Sequence, residues 1–157
     1  MNRLTEKTQW IAALLNPWRG VSSTSETETS PHMELGRRGE NLAASYLRKH
    51  GFKVLYRNFR ARNGGEVDIV CREKSSDTLV FVEVKTRSTD FFGDPASAVT
   101  PAKQHLISRG ALAWLRMLHN PDIIFRFDIV EVMVNESEDV SISLIRNAFQ
   151  LSEPYIY

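Results

Sequence analysis

The sequence predicts an α/β domain in which a mixed sheet carries a helix on each face. Three observations predict it. Two stretches, 34–50 and 101–119, carry apolar residues at helical spacing between recognisable start and stop residues. Short apolar runs of strand length lie around them, at 53–57, 65–70, 79–85, 124–134 and 140–145. Their order, α-β-β-β-α-β with a further strand, lets both apolar helix faces be covered by one sheet. The 157 residues, 42% hydrophobic and 25% charged, suit one globular domain with a substantial core.

The first 33 residues differ in character. Trp10-Ile11-Ala12-Ala13-Leu14-Leu15 reads as a short helix ended by Asn16-Pro17. It is too brief for a signal peptide, and no clear small-residue cleavage site follows. Val21 to Pro31 is a Ser/Thr/Glu-rich linker that cannot build a core. Residues 1–33 are therefore expected to form a flexible arm, able to dock a protein partner through Trp10 and Trp18. Residues 34–157 form the domain.

The first domain helix should run from about Glu34 to His50, with Gly51 as the residue that ends it. Leu35, Leu42 and Tyr46 lie along its apolar stripe, with Ala43 and Leu47 adjacent. Lys53 to Arg57 forms the next strand, and Asn63-Gly64-Gly65 is turn chemistry. Gly65 to Val70 and Leu79 to Lys85 form an antiparallel hairpin closed by the polar loop 72–78. The irregular stretch 88–98 holds Phe91, Phe92, Gly93, Asp94 and Pro95, and burial under that loop is the expected fate of the two phenylalanines. Thr100-Pro101 starts the second helix as N-cap and first-turn proline. Leu106, Ala113, Trp114 and Leu118 are its expected core contacts. Ile124 to Val134 is a long β-rich run, and Val140 to Ile145 a last strand.

Chemistry concentrates in the hairpin. Glu66, Asp68, Glu83 and Lys85 stand in otherwise apolar strands, and a buried charge needs pairing, hydrogen bonds or a metal. Strict alternation places Glu66, Asp68 and Val70 on one face, opposite Val67, Ile69 and Cys71. On the second strand Leu79, Phe81, Glu83 and Lys85 share a face. If those faces coincide, Asp68 and Glu83 converge with Lys85 beside them. Hard cations such as magnesium take one or two carboxylates plus water and substrate phosphate. Asp68 and Glu83 suit that role, with the Val84 carbonyl as a third ligand and Lys85 holding the attacking water or the phosphate. A cross-strand salt bridge is the plainer alternative. Glu40, near a helix start on the inward side, is either favoured by the helix dipole or reaches the same site; beside the other acids, a metal or water contact is expected.

Charge is consistent with a polyanionic partner. The net charge is only +1, but residues 34–126 hold sixteen Lys and Arg against ten Asp and Glu, an excess of six. Arg60, Arg62, Arg87 and Lys103 lie near the acidic strands in sequence and are candidates for holding phosphates. Lys103, at a helix amino terminus, is the first choice. The four histidines show no zinc spacing, and no nucleophile elbow or phosphate-binding loop occurs. The single cysteine, Cys71, excludes an internal disulfide, and its place on an apolar face suits the core. No apolar run approaches the ~20 residues of a membrane helix, so no membrane role and a cytoplasmic location are expected.

Several blocks occur in a characteristic order: Gly36-Arg37-Arg38-Gly39-Glu40, Asn58-Phe59-Arg60, Gly65-Glu66-Val67-Asp68-Ile69-Val70 and Phe81-Val82-Glu83-Val84-Lys85-Thr86-Arg87. Gly93, Ala98 to Gln104, and Arg126-Phe127-Asp128-Ile129-Val130 continue the series. From about Leu35 to Val134 the chain resembles the YraN family, which is similar to the PD-(D/E)xK nucleases. The resemblance implies a restriction-endonuclease-like α/β/α core, metal ligands at Asp68 and Glu83, a catalytic lysine at Lys85 and an accessory acid at Glu40. Two departures stand out. Val67 replaces the usual proline before the first acid, and Ser108 follows Gln104 where some related nucleases carry tyrosine, which argues against a RecB-like role.

The expected function is thus a magnesium- or manganese-dependent endonuclease acting on DNA, branched or damaged DNA included. The alternative is a nucleic-acid-binding module of the same fold without turnover. Junction resolution would call for two sites, which a homodimer would supply.

Overall fold

A computed structural model describes residues 30–62, 64–88, 99–135, 137 and 139–155. The described residues form α1 (Pro31–Lys49), β1 (Phe52–Arg60), β2 (Glu66–Glu73), β3 (Leu79–Ser88), α2 (Pro101–Met117), β4 (Phe125–Val134) and β5 (Val140–Phe149). The strands lie in one sheet in the order β1-β2-β3-β4-β5. β1, β2 and β3 pair antiparallel, β4 runs parallel to β3, and β5 returns antiparallel to β4. The parallel step is the one that α2 bridges, as a crossover requires. One helix covers each face, which is the α/β/α arrangement expected from the sequence.

Two apolar layers result. On the α2 face, Phe59, Val67, Val70, Leu79, Phe81, Phe127 and Ile129 meet Ile107, Ala111, Trp114 and Leu115. On the α1 face, Ile69, Cys71, Val80, Val82, Val130 and Val132 meet Ala43, Ala44 and Leu47. Cys71 is fully buried there and its thiol is pushed up to about 12, chiefly by burial, as befits a core residue.

Local chemistry explains the boundaries. Ser30 caps α1, its side chain accepting from the Met33 N–H, so the helix begins at Pro31, three residues before the expected Glu34. Gly51 ends it at φ 87°, as expected. The buried stripe of α1 is centred on Ala43, Ala44 and Leu47, whereas Tyr46 is half-buried and stacks on His50. Gly39 lies against β3: a Cβ there would fall 1.8 Å from the Thr86 hydroxyl oxygen. Thr100 caps α2 by accepting from the Lys103 N–H at 3.3 Å, with Pro101 in the first turn. Ile107, rather than the expected Leu106, enters the core beside Trp114 and Leu118. The expected loop contacts of Phe91 and Phe92, and the arm with Trp10 and Trp18, lie outside the described residues.

One expectation is corrected. Val67 and Val70, three apart, pack in the same layer, so β2 does not alternate through Asp68. Its partner β1 changes phase at the same level. Tyr56 and Phe59 both pack on Trp114, and Asn58 between them takes φ 54°. Asparagine tolerates that left-handed conformation better than other non-glycine residues, and here it inserts a half-step into the side-chain rhythm.

At the end of the sheet where β3 begins, a polar network closes the α1 layer. Arg126 donates to both carboxyl oxygens of Asp128, at 2.9 and 3.0 Å, and to Glu73 at 2.8 Å. Arg146 joins Glu73, and the Asn147 N–H donates to Asp128. The Arg126 hydrogen bond, helped by Arg146 and Ser76, holds the Glu73 carboxyl down at about 2 against the pull of burial.

Helix α2 meets β2 backbone to backbone. A Cβ on Gly110 would lie 2.8 Å from the Glu66 carbonyl oxygen, and one on Gly65 only 2.3 Å from the Gly110 nitrogen. Gly110→Ala should therefore destabilise the protein by about 1–3 kcal/mol, the usual range for overpacking. Urea unfolding checks this; an unchanged midpoint would mean that the helix has room to move away.

Candidate functional site

The candidate site lies where β2 and β3 part. Their ladder runs from Arg72↔Leu79 to Ile69↔Val82. Continuing that register by one step sets Asp68 opposite Glu83. There the Asp68 side chain intervenes, its Oδ2 accepting the Val84 N–H at 2.8 Å. An acid thus takes a place that a backbone carbonyl would otherwise fill, and it is fixed beside Glu83.

Glu83 is the buried member. It follows Leu79 and Phe81 on the α2 face and is only 3% exposed. One oxygen, Oε1, lies 3.0 Å from Lys85 Nζ and 3.4 Å from Lys103 Nζ. The other, Oε2, is buried without a hydrogen-bond partner. Burial, reinforced by the Asp68 charge, pushes the Glu83 carboxyl up to about 7, against the opposing pull of Lys103 and Lys85. Lys85 stands where the sequence places it, on the same face as Glu83.

Glu66 completes the cluster from the edge of β2. Its carboxylate binds Lys103 Nζ through one oxygen and Arg60 at 2.6 Å through the other. The Lys103 hydrogen bond is the main cause of a lowered Glu66 pKa. For Lys103, burial disfavours the charge, but the Glu66 bond and the charges of Glu83, Asp68 and Glu66 outweigh it and raise its pKa. Lys103 reaches this position because the glycine contact seats α2 on the start of β2.

The other candidate residues divide. Glu40 faces Arg57, with 3.9 Å between Oε2 and the guanidinium, and is one residue from the Gly39–Thr86 contact. Val84 contributes its N–H to Asp68. Arg87 pairs with Glu131 at 3.5 Å on the α2 face, and Arg60 is bound to Glu66, although 76% of its side chain stays exposed. Arg62 is exposed. Among the described residues, no three His, Cys, Asp or Glu side chains gather in a way that could hold a metal ion by themselves.

Sequence reasoning passed over Glu131 and underused Glu66. Glu131 lies opposite Lys85 in the β3–β4 register and is 8% exposed. Its signal was an acid inside the apolar run Phe125–Val134, the argument already applied to Asp68 and Glu83. Glu66 was visible as an acid in the strand, but its lysine partner is 37 residues away.

The raised Glu83 carboxyl sets a pH dependence. A carboxyl with its folded pKa above the unfolded value holds more proton in the folded state, so stability is lost as pH rises from about 4.5 to about 7. Glu83→Gln does not titrate in that window. The stability of Glu83→Gln relative to the parent protein should thus be greater at pH 8 than at pH 4.5, by on the order of a few kcal/mol. Urea unfolding at the two pH values measures it, and a constant difference would contradict a burial-driven shift.

The model of the "Uncharacterised protein family UPF0102" matches residues 39–132. A UPF0102 protein of Pelobacter propionicus is 45% identical over 130 residues, covering 83% of this chain and 92% of the relative. One from Geobacter sulfurreducens is 50% identical over 118 residues, covering 75% and 90%. One from Caldicellulosiruptor saccharolyticus is 44% identical over 117 residues, covering 74% and 97%.

Proposed function

The chain belongs to the uncharacterised family UPF0102, and we propose that it is a divalent-metal-dependent endonuclease that hydrolyses phosphodiester bonds in DNA. One observation carries this reading. A carboxylate, Glu83, is buried with an unpartnered oxygen beside a second carboxylate, Asp68, and a lysine stands on its other oxygen. A fold gains no stability from such an arrangement, and perturbed acids of this kind mark functional sites.

The residues fit a hard, water-rich cation. Magnesium or manganese needs only one or two carboxylates, the remaining positions being filled by water and phosphate oxygen. Asp68 and Glu83 would hold the ion, with the orphaned Glu83 oxygen turned to it. Glu40 is an outer acid in this reading, and the Val84 carbonyl a further oxygen. Bound there, the ion would supply Lewis-acid polarisation of the phosphodiester and a more acidic water.

The chain's own residues do the rest. Lys85 holds the attacking water or the scissile phosphate and offsets charge that develops on it. The apolar floor of Phe81, Val67 and Ile107 excludes bulk water beneath the site and strengthens each charge interaction. Arg60, at the end of β1, and Arg62, in the β1–β2 connection, are both exposed and suit phosphates farther along the strand of nucleic acid.

A second reading rests on the ion pairs themselves. Lys103, Lys85 and Arg60 already neutralise much of the acid cluster, which favours a nucleic-acid-binding module without turnover. Cleavage assays separate the two. With magnesium present, the parent protein should cut at least one member of a panel of plasmid, single-stranded, flap and four-way-junction DNA. Asp68→Asn and Lys85→Ala should each reduce the rate at least ~100-fold, the scale of losing one transition-state stabiliser. Both should keep the parent circular dichroism spectrum. Parental rates in both variants would end the proposal; binding without cleavage by the parent would favour the inert module.

A further inference from the structure

Lys103 sits at the centre of the acid cluster. Its ammonium bridges Glu66 Oε1 and Glu83 Oε1, on side chains from β2 and β3, and it comes from α2. It is only 23% exposed, and Asp68 adds to the field that holds it. No other lysine contacts both acids among the described ion pairs: Lys85 reaches Glu83 alone. A monovalent cation therefore already occupies the electrostatic focus of the site, while Glu83 Oε2 is buried without a hydrogen-bond partner and Asp68 Oδ2 accepts the Val84 N–H.

We infer that Lys103 is a built-in counter-cation that competes with the divalent ion for the Glu83 carboxylate and so sets the affinity of the site for metal. The inference rests on the metal reading above. With no ion bound, the ammonium offsets the charges of Glu66 and Glu83, which it bridges. A divalent ion held by Asp68 and Glu83 would repel the Lys103 ammonium. Lys103, on its flexible four-carbon stem, would then release Glu83. Lys103 is thus a positioning residue, acting through the acids it holds.

The test is calorimetric titration of manganese chloride into the full chain at pH 8, without nucleic acid. The parent protein should bind, and Asp68→Asn should lose binding. Lys103→Met, which removes the charge and keeps the stem, should bind roughly tenfold tighter or more, the scale of deleting one nearby like charge. Lys103→Arg should stay within about threefold of the parent, since it keeps the charge. Equal or weaker binding by Lys103→Met overturns the inference while leaving the metal reading standing, as does tightening in Lys103→Arg equal to that in Lys103→Met. Absence of binding in the parent overturns both. A measurement on the unaltered protein guards against a misfolded variant. The Lys103 side-chain methylene resonance next to Nζ should shift on adding magnesium, with the half-point found by calorimetry for magnesium; a stationary resonance overturns the inference.

Discussion

The cost of burying the Glu83 carboxylate is the constraint around which this half of the molecule is arranged. A single ionised carboxylate taken out of water costs several kcal/mol unless it is paired. Two lysines approach one of its oxygens, yet the group still titrates near neutrality, so burial outweighs both of them. Asp68 adds to the imbalance from the next strand. The paired glycines seat α2 so that Lys103 brings positive charge to this point, where it also meets Glu66.

The far end of the sheet gives the contrast that identifies the imbalance as meaningful. Glu73 and Asp128 are also buried acids, but each receives hydrogen bonds from an arginine, and Asp128 a backbone N–H besides. Glu73 there is held at about 2, the value of an acid fully compensated by its partners. The same chain can therefore satisfy a buried carboxylate completely when the role is to close a layer. At Glu83 it leaves one oxygen without a partner.

Much of this was legible in the sequence, for reasons that can be named. Strand-length apolar runs, the Thr100-Pro101 start and the Gly51 stop gave the element order, because each reports local backbone chemistry. Asp68, Glu83 and Lys85 were legible because charge in an apolar strand has few uses. What stayed hidden depends on contacts distant in sequence or on single dihedral angles. The phase change at Asp68 coincides with the left-handed Asn58 in the neighbouring strand, and no periodicity within β2 announces it. The choice of Ile107 over Leu106 follows from the rotation of α2 set by the Gly65–Gly110 contact. The joining of Lys103 to Glu66 and Glu83 needed the crossover geometry that brings α2 over the splayed ends of β2 and β3.

The glycine contact between α2 and β2 also has a mechanical side. With no side chain between the two backbones, Gly110 is a fulcrum on which a stiff rod rests. Lys103 is seven residues along that rod, about 10 Å by helical rise, so a tilt of roughly 5° would carry its backbone about 1 Å. Between that fulcrum and Lys103, residues 152–155 hold the rod through the Ser152 N–H donating to Ser108 and the Tyr155 hydroxyl on His105. A shift of that hold would therefore tilt the arm that carries the amine at the heart of the acid cluster.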